Sequence, residues 1–334
     1  MKVKDKQKTI NWGIIGVGNV TEVKSGPAFY KVENSKLVAV MRRNAEKARE
    51  YALRHNVPKW YNNGTELIND PEVDAVYIAT PPDSHASYVI EALKAGKPVY
   101  VEKPMARNYQ ECKEMLKVSK ETQVPLWVAY YRRTLPAFLM VKELIEEGSI
   151  GKPYAVNIKL FKQADEINQT PKEMHWHVFP EIGGAGHFFD LASHQFDYLD
   201  FLFGKIIDIK GLAVNQAGLY PAEDTVTGFW KHDSGVVGTG SWCFVVDEKS
   251  VEDSIQIIGE NGEICMSCFN HSDVIVKNQE GTRKLSFKNP QHISQYMVKQ
   301  VVDELLGIGK CVSTGESAAR TNRVLDKMVK NYYK

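Results

Sequence analysis

The chain has 334 residues, a length typical of two domains. Its 42 Lys and Arg residues balance 41 Asp and Glu residues, and the net charge of +1 argues against a nucleic-acid-binding protein and against an acidic disordered chain. No apolar run approaches the roughly 18 residues of a membrane span, and the lysine-rich start, Met1–Thr9, lacks the apolar core of a secretory signal. We therefore expect a cytoplasmic protein that binds neither membrane nor nucleic acid.

The first part of the chain alternates strand and helix signals. Ser25-Gly26-Pro27 is expected to delay the first helix, with Pro27 in its first turn, and Asn44 is expected to cap the next one. Such alternation predicts a parallel sheet with helices on both faces. The predicted strands are Ile10–Ile15, Lys36–Met41, Asp74–Thr80, Pro98–Val101 and Pro125–Ala129, and the other predicted helices are Asn44–His55, Ser84–Ala95 and Tyr109–Thr122.

The pattern changes near residue 130, so we predict one domain over residues 1–130 and a second over residues 131–334. The second begins with a helix, Ala137–Glu147, and a strand, Tyr154–Lys162, and a glycine-rich turn and helix fill Gly183–Phe203. Closely spaced β-rich runs then predict a large, mostly antiparallel sheet. These runs are Ile206–Asn215, Thr225–His232, Val236–Phe244, Ser254–Ile258, Ile264–Phe269, Val274–Val276 and Lys284–Phe287, and two helices follow, Ile293–Leu306 and Glu316–Tyr332.

Five scattered cysteines do not make a disulfide framework. Cys265 and Cys268 form a C-x-x-C pair, which could be half of a zinc site or a redox pair. Because no second pair completes a zinc site, we interpret both cysteines as residues of one strand, Glu263–Cys268, with their side chains on opposite faces of that strand.

A glycine loop follows the first strand. Gly16 and Gly18 enclose Val17, and Asn19, Val20 and Thr21 come next, so the third glycine of a G-x-G-x-x-G loop is replaced by Thr21. At the start of a strand–helix–strand unit, such a loop allows the backbone to approach a pyrophosphate, although it could also be a simple turn. We interpret it as a dinucleotide site.

The second strand ends in Arg42 and Arg43, with no carboxylate at its tip. A carboxylate there would accept hydrogen bonds from ribose hydroxyls, whereas guanidinium groups suit a 2′-phosphate. The pair could also be a solvated surface feature. We predict NADP, with NAD as the second choice.

Two segments carry the candidate chemistry. Glu102-Lys103-Pro104 follows a buried strand, at the sheet edge where ligands bind in open α/β folds. Asp190 and His194 lie four residues apart on one helix face, close to His187 and Asp197. A histidine with a carboxylate and a lysine can move a proton during a redox step, although the same face could be merely polar. His175, His177, His187, Asp190 and His194 could also bind a metal, but their spacing fits no metal signature, and we predict none.

Together these motifs resemble the glucose–fructose oxidoreductase, inositol dehydrogenase and rhizopine-catabolism family (Gfo/Idh/MocA). The resemblance spans nearly the whole chain. It rests on Gly16-x-Gly18, Thr80-Pro81-Pro82-x-x-His85, Glu102-Lys103-Pro104 and Gly184-Ala185-Gly186-x-x-x-Asp190-x-x-x-His194.

The resemblance implies an N-terminal Rossmann dinucleotide-binding domain and a C-terminal α/β domain whose open sheet often mediates homodimers or homotetramers. It implies oxidation of a hydroxyl on a sugar, polyol or cyclic alcohol. Lys103 would bind the hydroxyl, His194 would be the acid–base group and Asp190 would assist it. Lys103 would also lie at the cofactor. The other implied residues are Thr80, Pro81, His85 and Glu102 at the cofactor and Tyr130, Arg132, Arg133, Trp176, His177 and His187 at the substrate.

Some positions depart from the family pattern, among them Thr21, Ala185, Ala192 and His187, and the last puts the identity of the substrate in doubt. Three other functions stay open. They are a lyase or glycosidase with a tightly held, recycled NAD, a non-catalytic dinucleotide-binding regulator, and a metal-dependent hydrolase.

Overall fold

The computed structural model describes residues 9–164, 174–270 and 273–333. The lysine-rich start, predicted to lack a secretory signal, lies outside the described residues apart from Thr9. The described residues form two compact units. One consists of residues within Met1–Ala106, Gln110–Tyr131 and Pro290–Ala318, and the other of residues within Arg107–Tyr109, Arg132–Asn289 and Ala319–Lys334. The predicted domain division at residue 130 stays a prediction.

The first part of the chain alternates strands and helices as predicted. Its elements are β1 (Ile10–Ile15), α1 (Asn19–Val23), α2 (Ala28–Lys31), β2 (Ser35–Met41), α3 (Ala45–Arg54), β3 (Lys59–Tyr61), α4 (Gly64–Ile68), β4 (Ala75–Ile78), α5 (His85–Lys94), β5 (Val99–Val101), α6 (Tyr109–Thr122) and β6 (Leu126–Val128). The order β3-β2-β1-β4-β5-β6, with every pair parallel, confirms the Rossmann-like sheet.

Local sequence explains the course of the first helical segment. Ser25-Gly26-Pro27 separates α1 from α2, and Pro27 is the N-cap of α2, because proline cannot donate the backbone hydrogen bond of a helix interior. The expected delay of the first helix was wrong, since α1 begins at Asn19, before this triplet. Asn44 caps α3 and accepts a hydrogen bond from the Lys47 N–H at 2.9 Å. The short β3 and α4 were not predicted.

Aromatic side chains fill the core of the first unit. In the sheet Ile14 pairs with Tyr77, and Tyr77 pairs with Tyr100. Phe29 of α2 packs on this row, with its ring centroid 4.8 Å from Tyr77 and 4.9 Å from Trp12. The core of this unit therefore includes the packing of α2 against the row of paired residues on β1, β4 and β5.

The rest of the chain contains the second sheet. Its elements are α7 (Pro136–Glu146), β7 (Pro153–Phe161), α8 (Pro180–Gly183), α9 (His187–Phe203), β8 (Ile206–Val214), β9 (Thr225–His232), β10 (Val237–Cys243), β11 (Glu252–Gly259), β12 (Gly262–Met266), β13 (Val274–Asn278), β14 (Gly281–Leu285), α10 (Gln295–Leu305) and α11 (Gly315–Val329). The order is β14-β13-β12-β11-β7-β10-β9-β8, and among the described strands of this sheet only β7 and β10 pair in parallel. The predicted mostly antiparallel sheet is confirmed.

Helix α9 packs on this sheet through aromatic rings. Phe188 meets Trp242 of β10 at 5.0 Å, and Phe196 meets Trp230 of β9 at 5.0 Å, both edge to face. The two phenylalanines are eight residues apart and so share one helix face. This packing fixes the rotation of α9 and decides which side chains its other face presents.

One predicted strand ends earlier than expected. We placed both cysteines of the C-x-x-C pair in a strand, but β12 ends at Met266 and only Cys265 belongs to it. The N–H of Cys268 donates instead to the Asp253 carboxylate, at 3.0 Å. The interpretation of Cys268 as a strand residue was therefore wrong.

Over the described ranges, we find no helix long and apolar enough to cross a membrane.

Candidate functional site

The glycine loop packs tightly at the carboxyl edge of the first sheet. Gly16 follows β1 with φ +94°, and a Cβ there would lie 2.7–2.9 Å from atoms of Ala79 and Thr80. Its N–H donates to the Met41 carbonyl at the end of β2, at 2.9 Å. Only glycine fits this position, because both the backbone angle and the available space exclude a side chain.

The second glycine of the loop faces open space. At Gly18, the N-cap residue just before α1, a Cβ would have no neighbour closer than the Gly16 oxygen, at 3.9 Å. The buried Thr21 hydroxyl accepts from the Gly18 N–H and donates to the Gly18 carbonyl, both at 2.9 Å. Thr21 therefore closes the turn by hydrogen bonds, and the exposed Asn19 and Val20 beside it are accessible to a ligand.

Two arginines follow β2 at the same edge. Arg42 is half-buried, and its backbone N–H donates to the Tyr61 carbonyl at 3.2 Å. Arg43 is exposed. Because β1 and β2 are parallel neighbours, the ends of these strands and the glycine loop share one edge of the sheet. The geometry leaves the Arg43 guanidinium accessible to an anion.

The loop after β4 is held by a buried histidine. His85 Nε2 lies 2.7 Å from the Thr80 carbonyl, and His85 Nδ1 lies 3.1 Å from the Pro104 carbonyl. Burial lowers the pKa of His85, and the backbone carbonyls oppose that shift. These are the contacts of a positioning residue that joins the loop of Thr80 and Pro81 to the segment after Lys103. Direct contact between His85 and a cofactor stays a prediction.

The Glu102-Lys103-Pro104 segment follows β5, and the Glu102 N–H donates to the Ile78 carbonyl of β4 at 2.8 Å. The carboxylate of Glu102 accepts a hydrogen bond from the Tyr77 hydroxyl and, at 3.2 Å, from the Lys103 N–H. Burial and the Glu102 charge raise the pKa of Tyr77 well above its usual range. Glu102 therefore holds the backbone of half-buried Lys103, at a peptide bond to Pro104 that is cis.

In the second unit, a buried carboxylate holds the start of α9. Gly186 precedes the helix, and its N–H donates to both Glu223 carboxylate oxygens, at 3.0 and 3.1 Å. Glu223 is fully buried, and the Tyr333 hydroxyl donates to it. Burial raises the pKa of Glu223 to about 7, against the opposing hydrogen bonds from Tyr333 and Gly186. Sequence reasoning missed Glu223, because a glutamate in a polar run gives no signal of burial.

The polar face of α9 carries the predicted acid–base residues. His194 is buried, with 3% of its surface exposed, whereas His187 and Asp190 are half-buried. Asp190 Oδ2 lies 3.8 Å from His177 Nε2, close enough for an ion pair when the imidazole is protonated. The structure therefore brings His177 close to Asp190, although His177 precedes α9 and the helical spacing within α9 could not predict the contact.

Aromatic rings extend this face. The Trp176 and His177 rings stack at 3.6 Å, and His175 Nδ1 lies 2.8 Å from His177 Nδ1. The His187 ring lies 6.3 Å from His177 and meets Tyr220 edge to face at 5.7 Å. Trp176, His177 and His187, all predicted at the substrate, thus form one cluster with Asp190.

The three residues predicted near the substrate after β6 have different surroundings. Tyr130 is fully buried in the first unit. Arg132, in the second unit, donates from Nε to the Cys268 carbonyl at 3.0 Å, and its guanidinium lies over the Phe269 ring at 4.5 Å. Arg133 forms a buried ion pair with Asp197 through hydrogen bonds of 2.7 and 2.8 Å. These contacts make Arg133 part of the packing of the unit.

Among the residues that the structure describes, no three His, Cys, Asp or Glu side chains come together in a group that could hold a metal ion. Lys103 belongs to the first unit, and Asp190 and His194 belong to the second.

Comparison with known families gives two matches. The GFO_IDH_MocA model, an oxidoreductase family with an NAD-binding Rossmann fold, matches residues 10–130. The GFO/IDH/MocA C-terminal domain matches residues 138–265.

Individual proteins match over nearly the whole chain. Oxidoreductase P35 of Formosa agariphila is 40% identical over 96% of this chain and 98% of that protein. The 1,5-anhydro-D-fructose reductase of Ensifer adhaerens is 26% identical over 91% of both chains. The myo-inositol 2-dehydrogenase of Thermotoga maritima is 26% identical over 92% of this chain and 89% of that enzyme.

A solved structure of levoglucosan dehydrogenase, in complex with NADH and levoglucosan, superimposes with a TM-score of 0.83. It covers 97% of this chain and 98% of its own, at 21% identity, and so demonstrates the shared fold.

Proposed function

The chain belongs to the GFO/IDH/MocA oxidoreductase family, and from this premise we propose that it interconverts a hydroxyl and a carbonyl on a sugar, polyol or related cyclic alcohol. Relatives named for an anhydro sugar and an inositol support this substrate class. When bound, a nicotinamide cofactor would supply the hydride chemistry, and the protein would bind and orient the substrate and transfer the proton.

The observation that carries the proposal is the glycine loop. A Cβ on Gly18 would project into open space, while Gly16 admits none, so the backbone there is accessible to a pyrophosphate. Asn19 and Val20 would border that group, and Thr80 and Pro81, held by His85, would line the loop after β4. These residues fit a dinucleotide by the chemistry of their donors and by the room beside them.

NADP is the favoured cofactor, and NAD is the second choice. Arg42 and Arg43 stand where an acidic residue would accept hydrogen bonds from the ribose hydroxyls, and two guanidinium groups complement a phosphate dianion. The exposure of Arg43 supports this assignment.

Lys103 is assigned to the substrate hydroxyl, where its ammonium group would stabilise negative charge developing on oxygen. The hydrogen bond from its backbone N–H to Glu102 supports a fixed position for this residue. His194 is assigned as the acid–base group, taking the hydroxyl proton during oxidation and returning it during reduction. Asp190 would assist as a charged partner of the imidazoles around it. General acid–base help of this kind is typically worth about 10²–10⁴-fold in rate.

Trp176, His177, His187, Arg132 and Tyr130 are assigned to the substrate. The stacked rings of Trp176 and His177 offer an apolar face, which suits the C–H face of a cyclic alcohol, and the neighbouring nitrogens can hydrogen-bond hydroxyl groups.

The test is a panel of ketoses, inososes, inositols and sugar aldehydes, assayed with NADPH and NADP⁺ and in parallel with NADH and NAD⁺. We expect turnover of at least one cyclic polyol or sugar, with a lower KM for the NADP pair. Substrate consumed without net change in the nicotinamide would contradict the proposal and indicate a lyase or glycosidase. Dinucleotide binding with no turnover across the panel would indicate a regulator.

The site assignment is tested by Lys103→Ala and His194→Ala. Each should lower kcat by at least about 100-fold while leaving cofactor affinity nearly unchanged. Lys94→Ala, on the exposed surface of α5, is the matched control and should behave like the wild type. Wild-type turnover in both site variants would overturn the assignment.

We also propose a homodimer or homotetramer formed through the open face of the second sheet. Leu212, Phe229 and Val237 support this, since about half of each side chain is exposed, at 54%, 53% and 48%. Light scattering should give a multiple of 37.7 kDa, and Phe229→Lys should shift it toward the monomer. Location in the cytoplasm stays a prediction, which cell fractionation would test.

A further inference from the structure

The loop segment that follows β12, residues 267–270, is held by one carboxylate. Asp253 of β11 accepts hydrogen bonds from three successive backbone N–H groups, those of Cys268 at 3.0 Å, Phe269 at 2.6 Å and Asn270 at 2.9 Å. Because β12 has ended at Met266, these amides lie beyond the strand, and the carboxylate satisfies them instead. Three charge-assisted hydrogen bonds to one side chain fix the path of this loop.

The loop presents the Phe269 ring to an arginine. The Arg132 guanidinium lies 4.5 Å from the ring centroid, within the range of a cation–π contact. Arg132 Nε also donates to the carbonyl of the preceding residue, Cys268, at 3.0 Å. Arg132 is 4% exposed, so its guanidinium has little freedom to move away. Asp253 therefore holds the Phe269 backbone, and Arg132 contacts its ring.

The same ring lies against the residue assigned as the acid–base group. The ring centroids of Phe269 and His194 are 6.0 Å apart, and the ring planes are inclined by 72°, an edge-to-face pair. The terminal torsion of histidine has broad energy wells, so neighbouring groups decide the direction in which its ring nitrogens point. Phe269 is half-buried, whereas His194 is 3% exposed. The ring is thus the more exposed member of a pair whose other member is the buried imidazole.

We propose that Phe269 is a positioning residue for His194, held in place by Asp253 and Arg132. The inference rests on the proposed function, since it assigns a purpose to the orientation of the imidazole. Phe269 takes no proton and acts only by restricting the orientations of its neighbour. A misplacement of about 1 Å at a reacting group can cost about 100-fold in rate, so even partial loosening of His194 is measurable.

The kinetic test compares Phe269→Leu, which removes the ring, with Phe269→Tyr, which keeps it. Phe201→Leu is the matched control, because Phe201 is also half-buried beneath an arginine, with Arg133 5.2 Å from its ring centroid. We expect Phe269→Leu to lower kcat about 10-fold with the KM for NADPH unchanged. Phe269→Tyr should retain at least half of the wild-type kcat. Phe201→Leu should retain the wild-type kcat. Asp253→Asn, which keeps the ring but weakens its support, should lower kcat in the same direction by a smaller factor.

A second readout needs no substrate. The chain has nine histidines, so ring-¹³C-labelled histidine gives a simple NMR spectrum, and the His194 signal is assigned by its loss in His194→Gln. We expect one His194 signal in the wild type, Phe269→Tyr and Phe201→Leu, and a doubled or broadened signal in Phe269→Leu. A single sharp His194 signal in Phe269→Leu, or an unchanged kcat in that variant while His194→Gln is inactive, would overturn the inference and leave the proposed function standing. Wild-type turnover in His194→Gln would instead overturn the assignment of His194 as the acid–base group.

Discussion

The buried Glu223 predicts a specific dependence of stability on pH. Burial raises its pKa from 4.5 to about 7. Between these values the folded chain holds a proton that the unfolded chain releases, so the free energy of unfolding falls as the pH rises through this window. The full contribution is present below pH 4.5 and is lost above pH 7. This pKa shift contributes about 3 kcal/mol to the free energy of unfolding at low pH. About 2.5 kcal/mol of that contribution is lost between pH 5 and pH 8.

The perturbation is Glu223→Gln, which removes the titration and keeps one acceptor oxygen for the Gly186 N–H. The assay is hydrogen exchange with mass spectrometry on peptides covering α9, at four pH values from 5 to 8, corrected for intrinsic exchange. We expect the opening free energy of the wild type, relative to Glu223→Gln, to fall by about 2.5 kcal/mol over this range. Burial also raises the pKa of Asp197, to about 6, but Asp197 titrates in both proteins and cancels in the difference.

Tyr333→Phe is a control that should raise the pKa of Glu223 further instead of removing its titration. The Tyr333 hydroxyl donates to the carboxylate and lowers its pKa, so its removal should move the pH window upward. A difference between the wild type and Glu223→Gln that changes by less than about 0.5 kcal/mol from pH 5 to pH 8 would refute the reasoning. Glu223 would then titrate like an exposed glutamate, in spite of its burial.

Three further predictions concern the glycine loop, the arginine pair and the buried ion pair. Gly16→Ala should weaken NADPH binding at least about 10-fold by fluorescence titration, because its Cβ would collide with Thr80, whereas Gly96→Ala, at φ +76° with open space, should leave binding intact. Arg42→Ala combined with Arg43→Ala should raise the Kd for NADPH about 10-fold or more and leave that for NADH within about 2-fold, and equal losses for both cofactors would contradict the NADP assignment. Arg133→Met should destabilise the fold by about 3–5 kcal/mol in chemical denaturation, because Asp197 would be left buried without its partner, and a change below about 1 kcal/mol would show that the pair contributes little.

Local sequence determined most elements of the first sheet. The run Ile10–Ile15 and the helix Tyr109–Thr122 have the bounds that their apolar patterns predicted, since a buried parallel strand or an amphipathic helix records its periodicity in consecutive residues. The short β3 was missed because it is an edge strand of three residues, whose Trp60 is 43% exposed and shows no buried run.

In the candidate site, too, local spacing predicted some residues, whereas others could be found only from the tertiary structure. Asp190 and His194 could be placed on one helix face from their spacing, and Gly16 could be placed in a turn from its position after β1, because both are relations between near neighbours in the chain. Glu223 reaches Gly186 across 37 residues, Asp253 reaches Phe269 across 16, and Tyr333 reaches Glu223 across 110. Residue types alone carry no record of such contacts. Whether a carboxylate is solvated or buried, and whether a ring lies beside a histidine, depends on which distant segments the fold brings together, and this the tertiary structure alone decided.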